Sequence, residues 1–488
     1  MVTSSSEDKI MIINCLEELS CCSRCILRFL KVRNDVVSYK NAEAYLKALM
    51  DREHDGDVCV PPKRVKRNSC SVCLDILKDS TIKEFCDNIP LKEVDEYSHT
   101  DFTTNISLPK SLLIRNHSMY VYLKRKFPGI YSVPDGIEHL KNIFRSLSIH
   151  LISDKISKMF NPKSRFSLTV KILYEDNDLE TENINKLIRK ETGKKLKQQA
   201  GNNNIVDILN KCEDKAFTEC FPVPPETPNK HTTVEFQCTA EPIWLGGRYL
   251  KFSRNMGQTP WIIDNKVLTE YNLQDVIFDS IQQILGYNKE QFTFCASGRE
   301  DFDVRMLGNG RPFYVQINDP KDDRITFDQC RAIEIEVFKL KLAAIVKLQK
   351  IDRQSLKYIK IGEQTKKKQY RALCQIIGLN DVSDVVDTIN KFKAPFEILQ
   401  KTPMRVLHRR TQDVRKKIIY SMEANSVAGH SNLFEVLLTS QAGTYIKEFA
   451  NGDFQRTRPS LSSILNHQID IVALDVTNID LAWPEQQE

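Results

Sequence analysis

No run of about 18 uninterrupted apolar residues occurs in the 488-residue chain, so an ordinary membrane-spanning helix is not expected. The first twenty residues scatter their charges and lack a basic start followed by an apolar stretch, so no secretory leader is expected either. Net charge is equally scarce: 70 Lys and Arg face 64 Asp and Glu, and the resulting +6 is too mild to indicate nucleic-acid binding by itself. Glycine and proline are modest at 17 and 19, and no internal repeat or long low-complexity tract is present, which excludes collagen-like, solenoid and largely disordered chains. What the chain does have is 41% apolar residues, enough for real cores. At roughly 150 residues per domain the length corresponds to about three units.

Two stretches punctuate this length. Residues 51–69 are polar, contain Pro61-Pro62 and carry the basic run Lys63-Arg-Val-Lys-Arg67, which reads equally as a nuclear import signal or as a charged loop. Residues 221–228 hold four prolines, which lack the donors and torsional freedom of a helix or central strand, and the main domain boundary is placed there. Before it, residues 10–30 and 41–49 are patterned as amphipathic helices and 166–173 as a half-buried strand. After it, 233–238, 291–295, 313–317 and 332–337 carry strand-type residues, and a helix is predicted over 272–285, stopped by Gly286. Asn309-Gly310 reads as a hairpin turn. The class is α+β.

Fourteen cysteines in a chain with no expected leader argue for reduced thiols. Cys22-Ser-Arg-Cys25 and Cys70-Ser-Val-Cys73 form two Cys-x-x-Cys knuckles, and four thiolates offered in pairs are the donor set of a tetrahedral structural zinc site. Such a site has no open position, so its role is structural. Buried thiols or a single redox pair are the plainer alternatives. Cys21, beside Cys22, competes as a ligand but lacks the two-residue gap to Cys25.

Arg299, Glu300, Asp301, Asp303 and Arg305 follow a strand and its Ser297-Gly298 break. A run of this kind is commonly a solvated loop, yet a carboxylate framed by rigid sheet also suits a nucleophile or general base. Spacing does not choose between Asp301 and Asp303.

The run Gly298-Arg-Glu-Asp-Phe-Asp-Val-Arg-Met-Leu-Gly-Asn-Gly-Arg-Pro-Phe313 resembles the signature of the Pus-ten family of tRNA pseudouridine synthases. Similar motifs follow in the family's order. They are Gly247-Arg-Tyr-Leu-Lys-Phe-Ser-Arg254 with Gln258-Thr-Pro-Trp261, Lys368-Gln-Tyr370, Thr402-Pro-Met-Arg-Val-Leu-His-Arg-Arg410, and Gln441-Ala-Gly-Thr-Tyr-Ile-Lys-Glu448 with Gly452-Asp453 and Arg456-Thr457. The chain departs from the family at Phe302, where a small aliphatic is usual, and at Asn451 and Gln455, which replace a His and a Gly.

The resemblance implies a zinc-knuckle lobe over residues 1–95, a THUMP-type RNA-binding region over 96–230, and a catalytic domain with a central antiparallel sheet over 231–488. It places the catalytic aspartate at Asp301, with Lys447 as the cation beside it and Tyr370 stacking on the target base. Read without it, Tyr370 is a core aromatic and Lys447 an exposed strand lysine. The implied reaction turns uridine into pseudouridine in the tRNA T arm, at U55 with U54 as a second position, and needs no organic cofactor. Arg299, Arg405, His408, Arg409 and Arg410 are the expected RNA contacts, continued by Arg415, Lys416 and Lys417. A second basic cluster is Arg189, Lys190, Lys194, Lys195 and Lys197. Structured RNA other than tRNA is a further expected partner, a membrane is not, and the chain is expected to be a monomer shared between nucleus and cytoplasm. Since family members are also associated with primary microRNA processing, an RNA-binding factor with secondary catalysis is the alternative, and a zinc-stabilised scaffold without activity is a third reading.

Overall fold

The computed structural model describes residues 6–33, 35–51, 69–132, 136–192, 202–263, 266–267, 269–378, 381–408 and 410–485. The basic run 63–67, the cluster members Lys194, Lys195 and Lys197, and Arg409 lie outside them. No helix among the described residues is long and apolar enough to cross a membrane.

Residues up to Ala240 form one compact unit and those from Glu241 another. In the first, strands β1 (Asp101–Ser107), β2 (Met159–Phe160), β3 (Phe166–Tyr174) and β4 (Thr232–Ala240) make a sheet of order β2-β1-β3-β4. The alternating burial of β3 is what its sequence pattern predicts. Residues 233–238, assigned by sequence to the second half, belong instead to β4, which pairs along its whole length with β3. The unit boundary therefore falls after 240 and not in the proline stretch. Residues 1–95 and 96–240 also share one continuous apolar core, so they do not separate into two lobes. The single helix expected over 10–30 is two, Ser6–Glu18 and Ser23–Phe29, parted at Ser20, whose φ of 59° no helix residue adopts.

The second unit contains β5 (Ile243–Lys251), the short pair β6 (Ile262–Ile263) and β7 (Lys266–Val267), β8 (Phe292–Ala296), β9 (Arg305–Ile317), β10 (Ala343–Ile351), β11 (Lys368–Ile376), β12 (Phe396–Lys401), β13 (Val414–Val427), β14 (His430–Ser440), β15 (Thr457–Arg458) and β16 (Ile469–Ile479). Its large sheet runs β10-β5-β9-β16-β11-β14-β13-β12-β15, with β8 paired to β9. All pairings are antiparallel except β9 with β16. Phe313, Val315 and Ile317 alternate inward on β9 and are fully buried.

Asn309-Gly310 is a bulge inside β9 and not a hairpin turn, since the register against β5 jumps from Arg311 opposite Tyr249 to Met306 opposite Lys251. Beside it, Gly308 has φ 58°, and a Cβ there would lie 1.8 Å from the Thr477 carbonyl oxygen, so only glycine fits where β9 meets β16. The predicted helix is present as Leu273–Leu285, capped by Asn272, whose side chain accepts from Asp275 N at 2.9 Å, and closed by Gly286 at φ 76°. Residues 332–337 are helical, within Phe327–Phe338, and not a strand. There Ile333 and Val337, four apart, are buried while Ile335 is 65% exposed, and the Thr326–Gln329 capping box fixes the start.

Candidate active site

The acidic run begins where β8 ends, and alternate side chains take opposite fates. Glu300 points inward and is 1% exposed: the Tyr249 hydroxyl donates to its Oε2 at 2.8 Å and Arg311 Nε at 2.9 Å. Arg311 also donates to Ser297 O at 2.9 Å, and Gln258 ties the Tyr249 hydroxyl at 2.7 Å to Gly298 O at 3.0 Å. Beneath the next residues, the fully buried Lys251 donates to Met256 O at 2.8 Å, Asp301 O at 3.0 Å and Phe302 O at 2.9 Å. Burial holds the Lys251 ammonium down to about 8, with Glu300, Asp303 and Asp301 opposing that shift. Three backbone carbonyls gripped by one ammonium make the acid loop stiff.

Asp301, the next residue out, keeps a 33% exposed side chain and meets two cations. Arg405 Nη1 lies 3.0 Å from each of its carboxylate oxygens, and Lys447 Nζ lies 3.7 Å from Oδ2. Arg405 is itself held from behind, its Nε donating at 2.6 Å to Glu448 Oε1 in a carboxylate only 6% exposed. Burial works against the charge on Arg405, but Glu448 and Asp301 outweigh it and raise the guanidinium above its ordinary value. Lys447 favours the other acid: it donates to Asp303 at 2.8 and 2.7 Å. Burial pushes the Asp303 carboxyl up, yet the bond and charge of Lys447 more than reverse this and hold it below the usual aspartate value. Arg254 adds bonds to Asp303 O at 3.1 Å and to Asp475 at 2.6 Å. The arrangement is a partly exposed carboxylate held by a pre-placed guanidinium. Such a group suits attack on, or proton removal from, a bound substrate.

Residues 244–480 match the family model described as Pus10, C-terminal, and 70–238 match that of Eukaryotic Pus10, N-terminal. The human tRNA pseudouridine synthase Pus10 is 33% identical over 440 residues, covering 86% of this chain and 80% of its own. A Drosophila melanogaster protein named putative tRNA pseudouridine synthase Pus10 is 32% identical and covers 97% of each. The chain belongs to the Pus10 family. An archaeal Pus10 from Thermofilum pendens is 34% identical over 240 residues, 49% of this chain and 53% of its own. Among solved structures a Cbf5-Nop10-Gar1 complex overlays on 48% of each chain at 15% identity with a TM-score of 0.25, too slight a likeness to weigh.

Against the Pus10 motifs, the other site residues fall as follows. Tyr370 sits on β11 opposite Leu438 and Val476, 9% exposed, with burial pushing its phenol up to about 12 and Ser440 bonding to it. The Arg311 guanidinium acts on the phenol electrostatically, which links Tyr370 to the Glu300 side of the loop. So little of its ring is open that it suits the floor of a site better than an exposed stacking platform. Lys447 lies in the first turn of helix Ile446–Asn451, not on a strand. Arg405, expected to contact RNA, is bonded to Asp301 and Glu448 although its side chain is 38% exposed; Arg299, His408 and Arg410 are exposed too. The continuation is partly neutralised: Arg415 pairs with Asp413 at 3.3 Å, Lys416 with Glu397 at 3.2 Å, and Lys417 donates to Ala442 O at 2.7 Å. Sequence reasoning missed Lys251, the Tyr249–Glu300–Arg311 cluster and Glu448. All lie inside the quoted motifs, but nothing in their spacing distinguishes them from core or surface residues.

In the first unit, the sulfur atoms of Cys22, Cys25, Cys70 and Cys73 all lie within 4.8 Å of one another, with Cys22 and Cys73 at 3.6 Å. Tetrahedral thiolates about 2.3 Å from zinc would stand roughly 3.8 Å apart, so the donor set fits a metal ion. Backbone N–H groups of Cys22 and Cys73 point at Cys70 Sγ at 3.3 and 3.5 Å. Cys21 Sγ instead faces Ser71 Oγ at 3.8 Å, outside the group of four.

Proposed function

We propose that this chain isomerises uridine to pseudouridine in the T arm of tRNA, at U55 with U54 as the second candidate position, and that Asp301 carries the chemistry. The observation that carries this is the Asp301 carboxylate, one-third exposed and flanked by Arg405 and Lys447 on a loop anchored by Lys251. The family relatives, named as tRNA pseudouridine synthases, point the same way.

The reaction breaks the N1 to C1′ bond, turns the uracil and joins C5 to C1′; the hydrogen leaving C5 is balanced by one gained at N1, with no redox change. Two routes use the same placement. Asp301 attacks C1′ as the base leaves, or it takes a proton from the sugar while the base detaches. In both, Arg405 aims the Asp301 carboxylate, and Lys447 is bonded to the neighbouring carboxylate of Asp303. Tyr370 forms the floor beneath the uracil. The uridine must leave its stack to arrive there, and the exposed Arg299, His408 and Arg410, with Arg409, supply phosphate contacts. We assign zinc to the four cysteines, where it would brace a THUMP-type RNA-binding unit, and we take the chain to act as a monomer without an organic cofactor, in nucleus and cytoplasm.

The test is to incubate purified chain with unmodified tRNA transcript and map pseudouridine. Conversion in the T arm by the wild type, lost in Asp301→Asn, is the expected result. Tight RNA binding without conversion would instead support the binding-factor reading.

A further inference from the structure

Phe454 is 87% exposed, the most exposed of the chain's large described apolar side chains. It sits between Asp453 and Gln455, and all three have left-handed backbones, with φ of 44°, 53° and 65°. Side-chain-bearing residues enter this region singly if at all, because Cβ crowds the following carbonyl oxygen. Three in succession persist only where the surroundings hold them, and such strain gathers at functional sites.

The surroundings here lead to the acid. Asp453 Oδ2 accepts from Met404 N at 3.3 Å and pairs with Arg456 at 3.4 Å. Arg456 Nη2 donates to Thr402 O at 2.6 Å, and its backbone oxygen accepts from Lys401 N at 3.0 Å. The loop is thus sewn to residues 401–404, and the next residue is Arg405, which holds Asp301 at 3.0 Å. Met404 is itself 52% exposed. The segment continues through the exposed His408 and Arg410, which suit phosphates. A phenyl ring turned outward on a loop bonded to the segment that leads into Arg405, His408 and Arg410 has the makings of a base-stacking platform.

We propose that Phe454 stacks on the RNA base adjoining the uridine that turns in to Asp301, replacing the neighbour that base loses. This rests on the proposed reaction, since it assumes an RNA substrate at this site. Because stacking recognises a π-face and no hydrogen-bond pattern, the residue sets how readily the RNA opens and not which base is read.

The test uses the full chain and an unmodified tRNA transcript, with Phe454→Ala, Phe454→Tyr and Phe454→Trp. Losing one stacked base predicts a fall of roughly five- to hundredfold in kcat/KM for the alanine variant, with the aromatic variants near wild type and melting temperatures unchanged. Transcript affinity in an Asp301→Asn background should fall by a similar factor when Phe454→Ala is added. Wild-type kcat/KM in Phe454→Ala overturns the proposal and leaves the reaction standing. Equal impairment of alanine and tryptophan variants with a lowered melting temperature also overturns it, as a structural role would do this. If the wild type forms no pseudouridine but Phe454→Ala still weakens transcript binding, the reaction assignment fails and the stacking role survives.

Discussion

Arg405 reaches across 104 residues of sequence to place Nη1 3.0 Å from Asp301 Oδ1. The same side chain rests on the nearly buried Glu448 at 2.6 Å, so the acid is positioned by a guanidinium that is itself positioned. Glu448→Gln removes the charge that anchors Arg405. A charge-assisted bond of about 1.5 to 3 kcal/mol predicts a kcat lower by roughly ten- to hundredfold. KM for tRNA should stay near wild type in steady-state kinetics. A large rise in KM with unchanged kcat would mean that Arg405 serves the RNA backbone instead.

Lys251 gives the site a pH dependence. Its folded value, held down to about 8 by burial, lies below that of the free side chain, so the folded chain loses this proton first as pH rises. Above about 8 the loop carbonyls of Asp301 and Phe302 then face a neutral amine, and activity should decline. For stability the sign is the reverse: the charged form is penalised by burial below about 8, and that cost fades as pH climbs toward the free lysine value, where the unfolded chain still holds the proton. A single-turnover pH profile with an alkaline limb near 8, shifted upward in Lys251→Arg, is the expected outcome. A flat profile to pH 9.5 in the wild type contradicts it.

The Glu300–Arg311 pair, 1% and 2% exposed, is structural. Glu300→Ala leaves Arg311 as an uncompensated buried charge and should cost about 3 to 5 kcal/mol. Chemical denaturation of the two proteins measures it. A change below about 1 kcal/mol, the usual range of an exposed pair, would contradict the burial argument.

How much of this was legible in the chain depends on how local each signal is. The helix Leu273–Leu285 was readable because Asn272 and Gly286 mark both ends within one segment. The helix Phe327–Phe338 was mistaken in part for a strand because Ile333, Ile335 and Val337 alternate, and alternation misleads when one of the three is solvent-facing. Asp301 stood out through its motif, but the choice of cation did not. Lys447 and Asp303 are 144 residues apart, and only the packing of helix Ile446–Asn451 against the loop directs that lysine more closely to Asp303 than to Asp301. Likewise the strand Thr232–Ala240 follows the prolines yet folds back onto Phe166–Tyr174, a pairing no local pattern records.

For the cysteines, elemental analysis should find about one zinc per chain. Burial pushes the Cys25 and Cys73 thiols up, whereas Cys70, equally buried, is held well below the usual value by bonds from neighbouring thiols. A dication would relieve that mutual opposition. Chelation or Cys70→Ser should lower the melting temperature of the first unit, while Cys86→Ser, outside the group of four, should not remove the metal. Metal-free protein with an unchanged melt would remove the assignment.

The most direct test of the central claim is single-turnover release of tritium from tRNA labelled at uridine C5, since joining C5 to C1′ must expel that hydrogen. Asp301→Asn is expected to release none above background, while Asp303→Asn, which only frees Lys447, keeps measurable release. Release by Asp301→Asn together with its loss in Asp303→Asn would show that the neighbouring carboxylate is the catalytic one.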